Sequence, residues 1–219
     1  ASSNLVAYYK MDELTGTTVT DASGNGNNGT LSDSAQWVYR GKYDGCIGFD
    51  GAATNVDTGM GSPFAASDDI TVSAWVMFHD VAGAYNVICS DYDNATVTGW
   101  SLFFSATANQ GLAVANFQGG GNSKITETDD NSPAVGVWHH AICVVYGDGR
   151  QPRLWLNGVE HTGTRNSNPG NVTQLNQSAR NVLIGTEWTG ASATTFWDGL
   201  IDEVSIWDRG LNEAEVLYV

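Results

Sequence analysis

At 219 residues the chain is long enough for one large all-β domain or two small ones. A single core at this length buries roughly 70% of the unfolded surface, so no covalent or metal staple is required for folding. Nine Lys and Arg against 24 Asp and Glu leave a formal charge of −15; this excludes nucleic acid and anionic membrane as natural partners, because both demand clustered basic side chains.

A neutral ligand or a divalent cation is electrostatically easier, and the acidity also serves solubility. The polar positions are filled mainly by Gly, Asn, Thr and Ser, which are weak inside helices and strong in turns. No run of eighteen apolar residues occurs, so no transmembrane helix and no membrane insertion is expected. The chain opens Ala1-Ser2-Ser3-Asn4 with neither Met nor a hydrophobic leader. A processed or excised module of a larger, extracellular, secreted multidomain protein would begin this way.

Taken in chain order, strands are predicted at Leu5–Met11, Gly45–Phe49, Ile70–Phe78, Val87–Ser90, Trp100–Ser105 and Gly111–Phe117. Four more follow at Trp138–Tyr146, Arg153–Leu156, Asn181–Ile184 and Leu200–Trp207. The third alternates cleanly, with Ile70, Val72, Ala74 and Val76 on one face and Thr71, Ser73, Trp75 and Met77 on the other. Asn157-Gly158 after Leu154-Trp155-Leu156 predicts a type I′ hairpin turn, because both residues accept positive φ. At the end of the chain, Asn212 and Glu215 have capping-box spacing for a helix of one or two turns. No linker or internal repeat interrupts this pattern, which predicts one antiparallel two-sheet β-sandwich (jelly roll) over 1–219 with a short C-terminal helix.

Cys46, Cys89 and Cys143 lack zinc-ligand spacing. Cys143 sits in an apolar run as a small core residue would, and the sequence does not fix whether it pairs with Cys89.

The segment Asp21-Ala22-Ser23-Gly24-Asn25-Gly26-Asn27-Asn28-Gly29 is rich in oxygen ligands and glycine. With Gly199-Leu200-Ile201-Asp202-Glu203 near the other end, it would cage a hard cation if the termini meet. Calcium takes six to eight oxygens, backbone carbonyls included. Asp21 and Asp202 would supply charge, Asn27 an amide oxygen and Asp12 a further oxygen. The alternative is an Asx turn at Asp21 and a backbone partner for Asp202.

Several phrases in order resemble the laminin-G-like, concanavalin-A-like lectin/glucanase jelly-roll family of bacterial secreted proteins. They run from Leu5-Val6-Ala7-Tyr8-Tyr9-Lys10-Met11-Asp12-Glu13 and the Asp21 loop through Phe49-Asp50-Gly51, Val72-Ser73-Ala74-Trp75-Val76 and Trp138-His139-His140. They continue with Leu156-Asn157-Gly158-Val159, Ile184-Gly185, Gly199-Leu200-Ile201-Asp202-Glu203-Val204 and Leu211-Asn212-Glu213-Ala214-Glu215. The resemblance implies two stacked antiparallel sheets with the terminal strands adjacent, and structural calcium at Asp21 and Asp202. It implies a core role for Trp75, Trp138 and Trp207. Family members bind glycans or proteins as modules, and some on the same scaffold cleave glycans, so the fold leaves function open.

Sugar rings present apolar faces beside hydroxyls, and aromatics with a polar tip match them. Trp100, Trp188, Trp197, Tyr85, Tyr92 and Phe117 lie in or beside turn-rich segments and are the expected ligand-binding residues for a polysaccharide or other glycan. Asn94, Asn116, Gln118, Asn122 and Arg180 are possible hydroxyl partners. His139 and His140 point to opposite faces of a strand and cannot act as a pair. Gly-x-Ser-x-Gly is absent. A retaining glycosidase needs two carboxylates about 5–5.5 Å apart; the Glu-x-Asp-x-Glu of such relatives is missing, and Glu127-Thr128-Asp129 is the nearest approach. No tyrosine, histidine and arginine cluster of the alginate-lyase type is matched. The expected function is a non-catalytic, calcium-stabilised carbohydrate-binding module. The alternatives are a glycan-cleaving enzyme, either glycoside hydrolase or polysaccharide lyase, or a protein-binding adhesion module.

Overall fold

Alternation along Ile70–Phe78 sets the architecture: Ile70, Val72, Ala74, Val76 and Phe78 all enter the main core, while Thr71, Ser73, Trp75 and Met77 face away, as the twofold period of a strand requires. The structure is a computed structural model describing residues 4–32, 36–61, 68–79, 85–105, 111–128, 133–176, 178–188 and 195–219. In chain order the strands are β1 (Leu5–Tyr9), β2 (Thr18–Val19), β3 (Gly29–Leu31), β4 (Gln36–Val38), β5 (Cys46–Asp50) and β6 (Val56–Gly61). Then come β7 (Ile70–Phe78), β8 (Tyr85–Ser90), β9 (Thr98–Ser105), β10 (Gly111–Gln118), β11 (Ser123–Glu127) and β12 (Trp138–Val145). The series ends with β13 (Arg153–Leu156), β14 (Val159–His161), β15 (Gly163–Thr164), β16 (Asn181–Ile184), β17 (Asp198–Trp207) and the helix α1 (Glu213–Val216).

Among the described residues these strands form two antiparallel sheets. One has eight strands in the order β14-β13-β12-β7-β17-β5-β4, with β1 also pairing β17. The other has nine, in the order β15-β11-β10-β9-β8-β16-β6-β3-β2. Their inner faces meet in one apolar core: Ala7, Ile47, Val72, Val76, Cys143 and Ile201 from the first sheet; Val56, Ile88, Cys89, Trp100, Leu102 and Val114 from the second. The three cysteines are free and buried.

Each sheet also buries part of its outer face. On the eight-stranded sheet, Ile142, Val144, Trp155 and Trp207 are covered by Leu211 and by Val216 of α1. The helix is held by its sequence-predicted capping box, in which the Asn212 side chain accepts from Glu215 N while the Glu215 carboxylate accepts from Asn212 N. Arg209 adds a bidentate ion pair to Glu215 at 2.8 Å to each oxygen. On the nine-stranded sheet, Val87, Phe103, Ala113, Ala115 and Ile125 make a smaller outer cluster with Phe117.

The Asn157-Gly158 hairpin forms as predicted, with φ of 52° and 78°. The Asn157 side chain also accepts from His140 N at 2.9 Å and lies 3.1 Å from His139 Nδ1. Gly199 is a stricter requirement. Its φ is 145°, and a Cβ there would stand 2.0 Å from the Met77 carbonyl oxygen, where no side-chain rotation relieves the overlap. Gly199→Ala is therefore expected to cost about 3 kcal/mol, lowering the melting temperature by roughly 6–12 °C. Gly170→Ala, which meets open space, should leave it unchanged; equal melting temperatures for both variants would refute this account.

Candidate functional site

The four oxygen-bearing residues expected to cage a cation separate into two places. Asp21 lies along the outer edge of β1, pairing with Tyr9. Its Oδ1 accepts from Tyr8 N (2.9 Å) and Ser23 N (2.8 Å), and its Oδ2 accepts from Asn27 N (3.0 Å). Burial tends to raise this carboxyl, but the Ser23, Tyr8 and Asn27 hydrogen bonds win and hold it below the usual range. Asn27 donates its side-chain amide to Val6 O at 2.9 Å, and its own carbonyl accepts from the Tyr9 hydroxyl at 2.6 Å. This loop is thus an Asx-turn network that pins the first strand. Both Asp21 carboxylate oxygens are thus engaged by N–H donors.

Asp202 does not reach the Asp21 loop, as the sequence had suggested. It is 0% exposed and faces the turn at Gly41–Gly45, where its Oδ2 accepts from Lys42 N (2.8 Å) and Tyr43 N (3.1 Å). Asp12 meets the same turn by accepting from Gly45 N at 2.8 Å. A Cβ on Gly41 would fall 1.9 Å from Gly45 O and 2.7 Å from Asp202 Oδ2, so only glycine lets the turn close over the carboxylate. Asp202 Oδ1 is buried without a hydrogen-bond partner. Burial, with Glu203 nearby, pushes this carboxyl up to about 7.

Glu203 departs from strand alternation. Strict alternation predicts that it faces away from Asp202, yet the β17 register shifts between Asp202 and Ser205 and Glu203 takes φ of 54°. This bulge turns its carboxylate to accept from the Tyr8 hydroxyl on the outer face. Burial and the Glu203 bond raise the Tyr8 phenol well above its ordinary value. Among the described residues no group of three or more His, Cys, Asp and Glu converges to hold a metal. The oxygens left for a cation are the unpaired Asp202 Oδ1 and, at the same turn, the Asp12 carboxylate.

The tryptophans divide differently from the sequence expectation. Trp100 and Trp197 are both 0% exposed in the main core, so neither forms a binding platform. Trp100 shares the inward face of β9 with Leu102 and Phe104, and Trp197 packs 4.6 Å from Phe78. Trp75 and Trp138, expected in the core, are half-buried on the outer face of the eight-stranded sheet. Trp75 is sandwiched between Lys42 Nζ at 3.9 Å and a parallel His140 ring at 4.7 Å. His140 also lies 2.8 Å from Ser73 Oγ, and burial with Lys42 drives its pKa down to about 4. His139 Nε2 contacts Ala134 O at 3.2 Å. Both histidines are thereby tied into packing.

Three of the expected ligand residues do assemble. Tyr92 is 8% exposed and packs in a tilted pair with half-buried Phe117 at 4.4 Å, with its hydroxyl 3.2 Å from Asn94 Oδ1. Trp188 N donates to Tyr92 O, and Asn94 N donates to Trp188 O, so two loops join at the end of the nine-stranded sheet. Tyr85 is at the opposite end of β8, packed edge-on to Phe103 at 5.7 Å, roughly 17 Å away along the strand. Of the polar candidates, Asn116 is buried on the inner face of β10. Gln118 is occupied by Thr173 N (2.6 Å), and Asn122 by Gly119 O (2.8 Å). Glu127 pairs with Arg165 at 3.2 Å; Asp129, its suggested catalytic partner, lies outside the described residues.

Trp188, 39% exposed, borders a shallow depression of about 180 Å³ on the outer face of the nine-stranded sheet, lined also by Asp57, Ala179, Arg180, Asn181 and Leu183. The Arg180 guanidinium stacks 4.3 Å from the indole ring and its Nε pairs with buried Asp93 at 3.1 Å. Asp57 Oδ1 accepts from Asn181 Nδ2 at 2.9 Å and Gly59 N at 2.8 Å. The loop neighbour Glu187 has its carboxyl raised to about 7 by burial. Sequence reasoning reached Trp188 and Arg180 but missed Asp57, Asn181 and Asp93. Asp57 stands in Val56-Asp57-Thr58-Gly59-Met60-Gly61, whose two glycines hide the alternation that Val56, Thr58 and Met60 supply. An aromatic face rimmed by amide, guanidinium and carboxylate groups can pack a sugar ring and bond its hydroxyls.

Two antiparallel sheets packed face to face define a β-sandwich of the jelly-roll class. The family model described as the concanavalin A-like lectin/glucanases superfamily matches residues 50–217, and the chain belongs to that superfamily. No curated protein sequence matches the chain. Among solved structures, it is similar to domain 4 of AbnA, a GH43 extracellular arabinanase from Geobacillus stearothermophilus, in complex with arabinotriose. That match has 20% identity and a TM-score of 0.71, covering 97% of this chain and 96% of the other. The binding domain of Paraclostridial Mosquitocidal Protein 1 has 18% identity and a TM-score of 0.72, covering 98% of this chain and 51% of that one. The botulinum neurotoxin serotype D ligand-binding domain in complex with N-acetylneuraminic acid has 13% identity and a TM-score of 0.67, covering 98% and 50%. This chain therefore spans about half the length of the two toxin domains. At these identities the likeness is one of fold.

Proposed function

We propose that this domain is a non-catalytic carbohydrate-binding module of a secreted multidomain protein, stabilised by calcium, that holds its parent protein on a polysaccharide. The observation that carries the reading is Trp188, a partly exposed indole braced by Arg180 beside Asp57 and Asn181. The depression is small beside the roughly 300–1,000 Å³ of enclosed ligand pockets, so a polymer would lie across it instead of entering it. Tethering by such a module raises the effective substrate concentration for an attached domain. Solved neighbours in complex with arabinotriose and with N-acetylneuraminic acid support a glycan as the ligand class.

Calcium would be held by Asp202 and Asp12 with carbonyls of the Gly41–Gly45 turn. It would supply positive charge to the unpaired Asp202 oxygen and tie β17 to the turn before β5. Its role would be structural.

A second reading, glycan cleavage, would make the Glu187 carboxyl, adjacent to Trp188 in the chain and raised by burial to about 7, a general acid. A polysaccharide array run with calcium and with chelator tests both readings. Retention without product is expected; reducing ends or unsaturated products accumulating with time would replace the module by an enzyme.

A further inference from the structure

We infer that the Trp188 depression takes neutral saccharides and rejects acidic ones such as sialosides and uronates; this rests on the carbohydrate-binding reading. The charges at the site decide it. Arg180 is the cation of the depression, and its charge is already committed: Nε pairs with Asp93 Oδ2 at 3.1 Å, and the guanidinium plane lies against the Trp188 ring. The lining contributes a second carboxylate, Asp57, whose described hydrogen bonds come from the uncharged donors Asn181 Nδ2 and Gly59 N. Two carboxylates thus face one guanidinium, within a chain of formal charge −15. A sugar carboxylate arriving here would meet net negative potential and an arginine whose charge Asp93 already balances, so drawing its full charge would require breaking that pair. Breaking that pair would strand a carboxylate only 4% exposed.

A neutral sugar meets no such obstacle. Its hydroxyls donate to Asp57 and accept from Arg180 and Asn181, while its apolar face packs on the indole. The Asp93–Arg180–Trp188 stack fixes the ring before binding, so little side-chain entropy is lost on contact. Recognition here would therefore differ in charge preference from the serotype D toxin domain solved with N-acetylneuraminic acid.

The test is titration calorimetry with the intact chain against neutral oligosaccharides (arabino-, xylo-, cello- and laminari-oligomers), acidic ones (sialyllactose, oligogalacturonate) and cationic chitosan oligomers, at low and physiological salt. At least one neutral series is expected to bind about tenfold or more tighter than every acidic one, with the gap narrowing as salt rises. Asp57→Asn keeps the acceptor for Asn181 and Gly59 while removing charge. It should narrow the ratio of neutral to acidic affinity by about tenfold; an unchanged ratio would overturn the inference. Tighter binding of a sialoside, uronate or chitosan oligomer by the unaltered chain would overturn the inference and leave the carbohydrate-binding reading standing. Binding of no saccharide at all would overturn both.

Discussion

Replacing Trp197 by alanine should cost about 3–5 kcal/mol of stability, roughly 6–20 °C in melting temperature, whereas Trp188→Ala should leave the transition in place and remove glycan binding. The two residues are nine positions apart and chemically identical, so burial alone makes the difference. Trp197 is enclosed against Phe78 in the main core, and truncation leaves a cavity that close-packed neighbours cannot fill. Trp188 projects from the loop after β16 with one face against Arg180. Removing it forfeits the aromatic contact with ligand, about 2 kcal/mol or more for a binding hot spot, hence an affinity loss of roughly thirtyfold or greater. Trp100→Ala should behave like Trp197→Ala, because its ring is fully buried on the inward face of β9 with Leu102 and Phe104. Thermal melts and glycan titrations on the three variants check this; undiminished binding by Trp188→Ala would move the site elsewhere.

Calcium should stabilise the protein strongly at pH 8 and hardly at pH 5, because proton and cation compete for Asp202. The Asp202 carboxyl is raised from 3.8 to about 7 in the folded chain, so between those values the folded state binds more protons than the unfolded. Stability from this group is therefore fully present below about pH 4 and is lost as pH rises towards 7 and above. Each pKa unit corresponds to about 1.4 kcal/mol. A bound divalent cation removes the penalty by pairing with the buried carboxylate. At a hundredfold excess over its dissociation constant it adds about 2.7 kcal/mol, roughly 5–10 °C. Asp202→Asn should abolish both the pH slope and the calcium effect. Asp21→Asn, in a loop whose carboxylate meets backbone N–H groups, should weaken the fold yet keep the calcium increment. A calcium increment that survives in Asp202→Asn, or is absent at pH 8 in the unaltered chain, would remove the cation from this turn.

Much of the frame is legible in the chain. Leu5–Tyr9, Ile70–Phe78, Arg153–Leu156 and Asn181–Ile184 announce themselves because β-branched and aromatic residues alternate between clear turn signals. The strands that escape notice are short or polar: Ser123–Glu127 carries four polar residues in five, and Val56–Gly61 carries two glycines. Alternation also held more information than the family resemblance about individual tryptophans. Trp75 shares a face with Ser73 and Met77, so it points outward, and Trp100 shares one with Leu102 and Phe104, so it points inward. The core assignment for Trp207 stands in a different sense, since it is buried on the outer face beneath Leu211 and Val216.

Amino-acid order by itself determined the all-β class, the two-sheet sandwich, the Asn157-Gly158 hairpin and the capped terminal helix. Each of these depends on residues within one turn or one strand, where hydrophobic period, positive φ and capping geometry are local properties. Tertiary structure alone decided which oxygens and which indoles are available for function. Asp202 meets Lys42 and Tyr43 across about 160 positions of sequence, and a bulge reverses the face that strict alternation would give Glu203. Asp57 joins Asn181 and Trp188 because β6 pairs with β16. Register between distant strands sets those contacts, and a shift of one residue exchanges the buried face for the exposed one.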